Sequence, residues 1–147
     1  MREHPGGAGG TLGEGESAWN QPQDHPSPCR VDILQLPMGR DIVFMVSGGE
    51  AHIGASATAS LSAEGVMVEV SVVPGHREGE LAGELAELAA RRLGCTVTVI
   101  AGIHVDRPSR EDIEAIVQEA RARMREQLDE MAGLGAKTLK MAPTARK

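Results

Sequence analysis

From Val31 onward the apolar positions fall into short runs of period two or of no gap, switch to a helical period, return to a strand-like run and end in a second helical stretch. Residues 31–36 (Val31, Asp32, Ile33, Leu34, Gln35, Leu36) alternate well enough to predict a strand, and residues 37–40, with Pro37 and Gly39, read as a turn. Asp41, Ile42, Val43, Phe44, Met45 and Val46 form a nearly continuous apolar run of strand length. That is the pattern of a strand covered on both faces. The run stops at Ser47-Gly48-Gly49. Residues 53–61 predict a third strand whose interior is small throughout, from Gly54 to Ser60. Small residues let a helix or a partner subunit approach the backbone closely. A turn at 62–65 leads into residues 66–73, where Val66, Val68, Val70 and Val72 share one face of a half-buried strand.

The period then becomes helical. Over residues 78–93, Leu81, Leu85, Leu88 and Ala89 form one stripe, with Glu80, Glu84, Glu87 and Arg91 mostly off it, and Gly94 stands where a C′ glycine belongs. Residues 96–101 predict the next strand. Ser109 opens a second helix as N-cap with Asp112 three residues on, in the capping-box position. Ile113, Ile116, Val117, Ala120, Met124 and Leu128 carry its stripe to about Met131, and Gly133 and Gly135 are expected to end it. The result is a single two-layer α+β domain over 29–132: a five-stranded mixed, mainly antiparallel sheet with two helices in the order β-β-β-β-α-β-α. Residues 1–28, rich in glycine and proline and without periodicity, are expected to be a disordered tail, and 133–147 a flexible basic one.

Strand direction then locates a site. Short turns at 37–40, 47–52 and 62–65 imply antiparallel neighbours, so successive strands alternate in direction. The turns holding His52, His76 and His104 therefore all arrive at one edge of one sheet, each histidine beside a glycine at the end of a Val/Ile-rich segment.

Composition narrows what such a site can do. With 147 residues the chain has room for one core without staples. Trp19 and Phe44 are the only Trp, Tyr or Phe residues, which leaves no stacking platform for bases, and a net charge of −6 disfavours duplex DNA. No nucleic-acid partner is expected. No run is long and apolar enough for a membrane helix, and Cys29 and Cys95 show no zinc or redox spacing; a cytoplasmic protein with reduced thiols is the simplest expectation.

Imidazoles beside carboxylates (Glu50, Glu78, Glu80, Asp106) suit two kinds of chemistry. They can bind a divalent metal, with His52, His76 and His104 as ligands, or pass protons to and from a ligand. In a third reading each histidine only caps its own turn. Phosphate capture by the Gly48, Gly49 and Gly75 amides and the helix start near Arg77 is opposed by Glu78 and Glu80, with Arg77, Arg107 and Arg40 to offset them. No nucleotide-binding glycine motif is present, and Ser47 lies in SGGE rather than in a hydrolase GxSxG.

The combination SGGEAHIGA, then VVPGHREGELAGELAELAARRLGCTVTVIAGIHVD, resembles the prenylated-flavin chaperone family typified by LpdD, the small accessory subunit of gallate decarboxylase systems. It spans residues 31–131, with GGxxHIGA, PGHxEGE and AGIHxD in order. The resemblance implies a fold like that of proteasome assembly chaperones, a homodimer, and a role in holding prenylated FMN or helping to activate a UbiD-like decarboxylase. The residues expected at the cofactor are Ser47, Gly48, Gly49, His52, Gly75, His76, Arg77, Glu78, Glu80, Gly102 and His104, all but Ser47 and Arg77 matching the family's motifs. With Phe44 as the one ring able to stack on an isoalloxazine, a flavin would be held by Met/Ile surfaces and partner residues. Two other classes stand beside this one: a small metal-dependent enzyme using the three histidines, and a pure assembly chaperone with structural histidines.

Overall fold

The computed structural model describes residues 25–141, with side chains through residue 133. The expectations for residues 1–24 and 142–147 lie outside the described residues. The chain runs β1 (Val31–Met38), β2 (Asp41–Gly49), β3 (Ala55–Ser62), β4 (Gly65–Val72), α1 (Gly79–Leu93), β5 (Val97–His104) and α2 (Arg110–Met141). The strands form one sheet in the order β1-β2-β5-β3-β4. β2 and β5 are parallel, and the other neighbouring pairs are antiparallel. The α+β class, the element order and the mixed sheet agree with the sequence reading.

One premise of that reading is corrected. β2 and β3 are not neighbours, because β5 inserts between them and pairs with both. The connection at residues 50–54 therefore steps over a strand instead of closing a hairpin, and β2 itself continues through Ser47-Gly48-Gly49. Strand direction survives the correction: β2, β4 and β5 run one way and β1 and β3 the other.

Both helices cover the same face of the sheet. Its rungs there read Ile33, Val46, Ala101, Ala55, Val72 and Gln35, Phe44, Val99, Ala57, Val70. Ala55, Ala57 and Ala59 are fully buried opposite α1, whose Ala82, Leu85, Ala86 and Ala89 are likewise buried. The small-residue strand is thus explained by close packing of a helix, which removes it as an argument for a subunit interface. Phe44, Met124 and Leu128 fill the core on the α2 side. A bidentate ion pair from Arg121 to Glu84, 2.8 and 2.7 Å, joins the helices.

Among the described residues no element covers the opposite face. Leu34, Leu36 and Met45 are exposed there, so β2, expected to be covered twice, is covered once by the described elements. On the edge strand β4, Val70 and Val72 keep nearly half of their surface exposed although they point toward α1.

The helix ends follow their signals with one exception. Gly94 adopts the left-handed conformation and its N–H donates to the Ala90 carbonyl. The Ser109–Asp112 capping box forms in both directions, with the Ser109 N–H donating to Asp112 Oδ2 at 2.9 Å and the Asp112 N–H to Ser109 Oγ at 3.0 Å. α2, however, runs through Gly133 and Gly135 to Met141. A glycine lowers helix stability by about 1 kcal/mol without forbidding the helix, and Ala, Leu, Lys and Met around these two are good helix formers. Residues 25–28, expected as tail, lie against the domain: His25 Nε2 is 2.7 Å from Asp112 Oδ1, and the Ser27 hydroxyl donates to the Cys29 carbonyl.

Candidate functional site

Three segments meet where β2 and β5 end. The 50–54 connection is laid along the end of β5 by backbone bonds: the Glu50 N–H donates to the His104 carbonyl and the Gly54 N–H to the Ala101 carbonyl, both at 2.9 Å. Two glycines permit this. A Cβ on Gly102 would occupy the place of the His52 carbonyl, and a Cβ on Gly54 would collide with the Glu78 carboxylate. The Val73 N–H then donates to the Gly54 carbonyl, which ties the end of β4 and the turn before α1 to the same place.

On this scaffold the imidazoles of His52 and His76 pack with ring centroids 4.8 Å apart, and those of His52 and His104 are 6.2 Å apart, edge to face. His52 stands at the centre. Its Nδ1 lies 3.1 Å from the Glu50 carbonyl and its Nε2 3.1 Å from Glu78 Oε1. Both partners accept hydrogen bonds, so making both at once takes two protons on the ring or one on the carboxyl. The other Glu78 oxygen accepts the Arg77 N–H at 3.0 Å, which fixes the carboxylate at the start of α1. His76 Nδ1 lies 3.2 Å from the Pro74 carbonyl, repeating the local contact of His52 with Glu50.

Beside the imidazoles opens a cavity of about 430 Å³. His52, Gly75, His76, Arg77, Glu78 and His104 line its polar side. Its other side is aliphatic, with Leu81 from α1, Ile103 and Val105 from β5 and its exit, and Ile113, Ile116 and Val117 from the first turns of α2. A second hollow of about 240 Å³ is lined by Glu50, Ala51 and the three histidines.

The sequence-marked residues divide accordingly. His52, Gly75, His76, Arg77, Glu78 and His104 come together on the cavity. Ser47 sits on β2, paired with Asp32 and Gly102, and does not line it. Gly48 is buried against the Arg30 carbonyl and Cys29, and Gly49 and Gly102 serve close backbone contacts, so these glycines shape the scaffold. Glu80 is exposed on α1, outside the lining. The α2 wall was missed, because its stripe reads as core. The signal that could have found it is the short distance in sequence from His104 to the Ser109 cap, which forces the first turn of α2 against the site.

Two chemical expectations change. Among the described residues no group of three His, Cys, Asp or Glu side chains is placed to hold a metal ion. Both nitrogens of His52 and Nδ1 of His76 are already engaged, and the rings pack on one another instead of aiming lone pairs at one point. The divalent-metal expectation, and the metal-dependent enzyme built on it, are set aside. Phe44 is fully buried in the core, so it is not a stacking partner for any ligand. The thiols lie away from this chemistry. Burial first, and then the charge of Glu119, pushes the Cys29 thiol up; burial and then Asp41 do the same to Cys95.

A helix-backed sheet whose strand ends carry a cavity lined by aliphatic side chains and imidazoles defines a small two-layer α+β domain. The particular class follows from comparison: the family model for the prenylated flavin chaperone LpdD-like domain matches residues 26–132, and the chain belongs to that family. Membership supports a flavin-related chaperone role. No curated protein sequence matches the chain significantly. No described helix is long and apolar enough to cross a membrane.

Proposed function

We propose that this protein is a cytoplasmic accessory chaperone that holds prenylated FMN in the cavity between the starts of α1 and α2 and supports activation of a UbiD-like, gallate-type decarboxylase. The observation that carries the reading is the two-sided cavity, lying in the segment that the family model matches. Its donor set suits the group. Imidazole N–H and the Arg77 guanidinium can meet the polar edge of a flavin or its phosphate, imidazole faces offer flat contacts, and the aliphatic side excludes water from the rest. In this reading the protein carries the cofactor and the decarboxylase uses it. Anaerobic titration with prenylated FMN, followed by flavin absorbance and equilibrium dialysis, tests it: saturable binding at one site per chain is expected, and no binding at micromolar ligand rejects it.

The open face of the sheet supports a homodimer. It presents Leu34, Met45 and Ile100 on one rung and Leu36, Val43 and Thr98 on the next, with serine and threonine toward β4. Thr58 and Thr98 satisfy each other's hydroxyls at 2.8 Å. Five strands about 4.8 Å apart and eight residues long offer about 650 Å² per chain, so two such faces bury about 1,300 Å², within the range of stable interfaces. Apart from Asp32, Asp41 and Glu69 at its margins the face carries apolar and hydroxyl side chains, which suits a second copy of itself, and the continuous apolar run of β2 reads as a strand covered twice. Light scattering should report a dimer that Met45→Glu converts to a monomer; a wild-type monomer at micromolar concentration rejects it.

A second reading has its own observation. The Nδ1 atoms of His52 and His76 each meet the carbonyl two residues back, the arrangement of a turn cap, which suits an assembly chaperone with structural histidines. The titration above separates the two.

A further inference from the structure

The aliphatic side of the cavity contains a residue that core packing does not explain. Ile113 retains 45% of its surface in solvent on the first turn of α2, flanked by Glu111, Asp112 and Glu114. An amphipathic helix normally places a polar residue at so exposed a position. Ile116 and Val117, three and four residues on, continue the same wall inward, Ile116 being buried and Val117 half-buried. Leu81 and Ile103 line the same cavity. Among the described residues this part of the lining offers neither a Phe, Tyr or Trp ring nor a side-chain hydrogen-bond group.

A flavin that lacks the added carbon offers such a wall only the dimethylbenzene edge of its planar tricyclic ring, and the opposite, pyrimidine edge is polar and gains from hydrogen bonding. An isoprenoid addition is hydrocarbon, which gains from burial against Ile, Val and Leu and loses no hydrogen bond there. We propose that the α2 wall is the specificity determinant of the site: Ile113, Ile116 and Val117 receive the isoprenoid carbons, and the protein thereby selects prenylated flavin over the unmodified cofactor. The inference rests on the reading of this cavity as the flavin site and adds the basis of its selectivity. It also assigns orientation, with the prenylated edge toward α2 and the polar part toward His52, His76 and Arg77.

The test compares anaerobic dissociation constants for prenylated FMN and FMN, measured by equilibrium dialysis on the wild type, Ile113→Gln, Val117→Thr and Ile113→Leu. The wild type should bind prenylated FMN at least about tenfold more tightly, since burying a few methyl and methylene groups supplies that much. Ile113→Gln and Val117→Thr should each weaken prenylated FMN by a larger factor than FMN, and Ile113→Leu should keep the preference. Ile113 is exposed enough that its replacement should leave the fold intact, and a melting curve of each variant checks this. Equal binding of the two flavins by the wild type, or equal weakening of both by Ile113→Gln, overturns the selectivity while the flavin site stands. Binding of neither flavin by the wild type overturns the site itself, and the selectivity with it.

Discussion

His52 and Glu78, twenty-six residues apart in sequence, meet at 3.1 Å with side chains only 25% and 14% exposed. Through this pair the 50–54 connection is joined to the start of α1. Removing one partner leaves the other with an unsatisfied, mostly buried group. His52→Ala and Glu78→Ala should therefore be non-additive, with a coupling energy of about 0.5–3 kcal/mol in denaturant unfolding. A coupling within error of zero would mean that the contact joins the segments in geometry only.

Two glycines, one in β5 and one in α2, predict opposite effects from one type of substitution. At Gly102 an added methyl would stand where the His52 carbonyl is, and backbone has no cheap way to yield. Gly102→Ala should lose more than about 2 kcal/mol of stability and disturb the site with it. At Gly133, inside α2, a methyl meets nothing within 4 Å. Gly133→Ala should gain about 0.4–1 kcal/mol, because it restricts the unfolded chain and favours the helix. Were Gly133 instead a left-handed C-cap, as the sequence suggests, the same change would destabilise.

These contrasts show what the sequence could convey. Strand, helix and cap signals are local, and they placed the cores of all seven elements because each depends on residues a few positions apart. Which strands are neighbours is not local. The residues between Gly49 and Ala55 are as short as a hairpin loop, and nothing in them announces that β5, from far along the chain, will occupy the intervening place. The histidine cluster was nevertheless legible, since convergence needed strand direction and not strand order. The aliphatic wall was not, because Ile113 and Ile116 have the spacing of a core stripe, and only the end position of α2 in the fold turns part of that stripe toward a cavity.

The capping box of α2 carries a pH signature. Asp112 is held below its ordinary value of 3.8, first by the His25 hydrogen bond and then by those from the Ser109 backbone and hydroxyl. A carboxyl depressed in the folded state contributes stability above its unfolded value, and the contribution disappears as pH falls through the folded one. The difference in unfolding midpoint between wild type and Asp112→Ala should therefore be constant from neutral pH to about pH 5 and shrink progressively below about pH 4. His25→Ala should raise the folded-state value toward the ordinary one, so that the decline becomes smaller and is complete at a higher pH. A difference that stays the same down to the acid transition would show that the carboxyl is not depressed.

The histidines provide the sharpest division between a site and a set of turn caps. As caps, His76 and His104 act on separate turns, so His76→Ala and His104→Ala should each lower stability by about 0.5–1.5 kcal/mol, add in the double variant, and have no bearing on any ligand. As walls of one cavity they face a common occupant, and their positions argue for small structural effects. His104 is exposed at the end of β5, and the His76 ring, packed on His52, has the Pro74 carbonyl at 3.2 Å as its hydrogen-bond partner. Each single variant should then melt close to the wild type yet bind prenylated FMN at least about tenfold more weakly, a loss of about 1.4 kcal/mol of binding energy. The double variant should fall short of the sum, because a ligand displaced from one ring no longer makes its full contact with the other. Additive losses of stability with unchanged binding would return all three rings to the role of caps. The cavity beside them would then be a cleft between two helix starts, and the family's ligand would have to sit elsewhere on the fold.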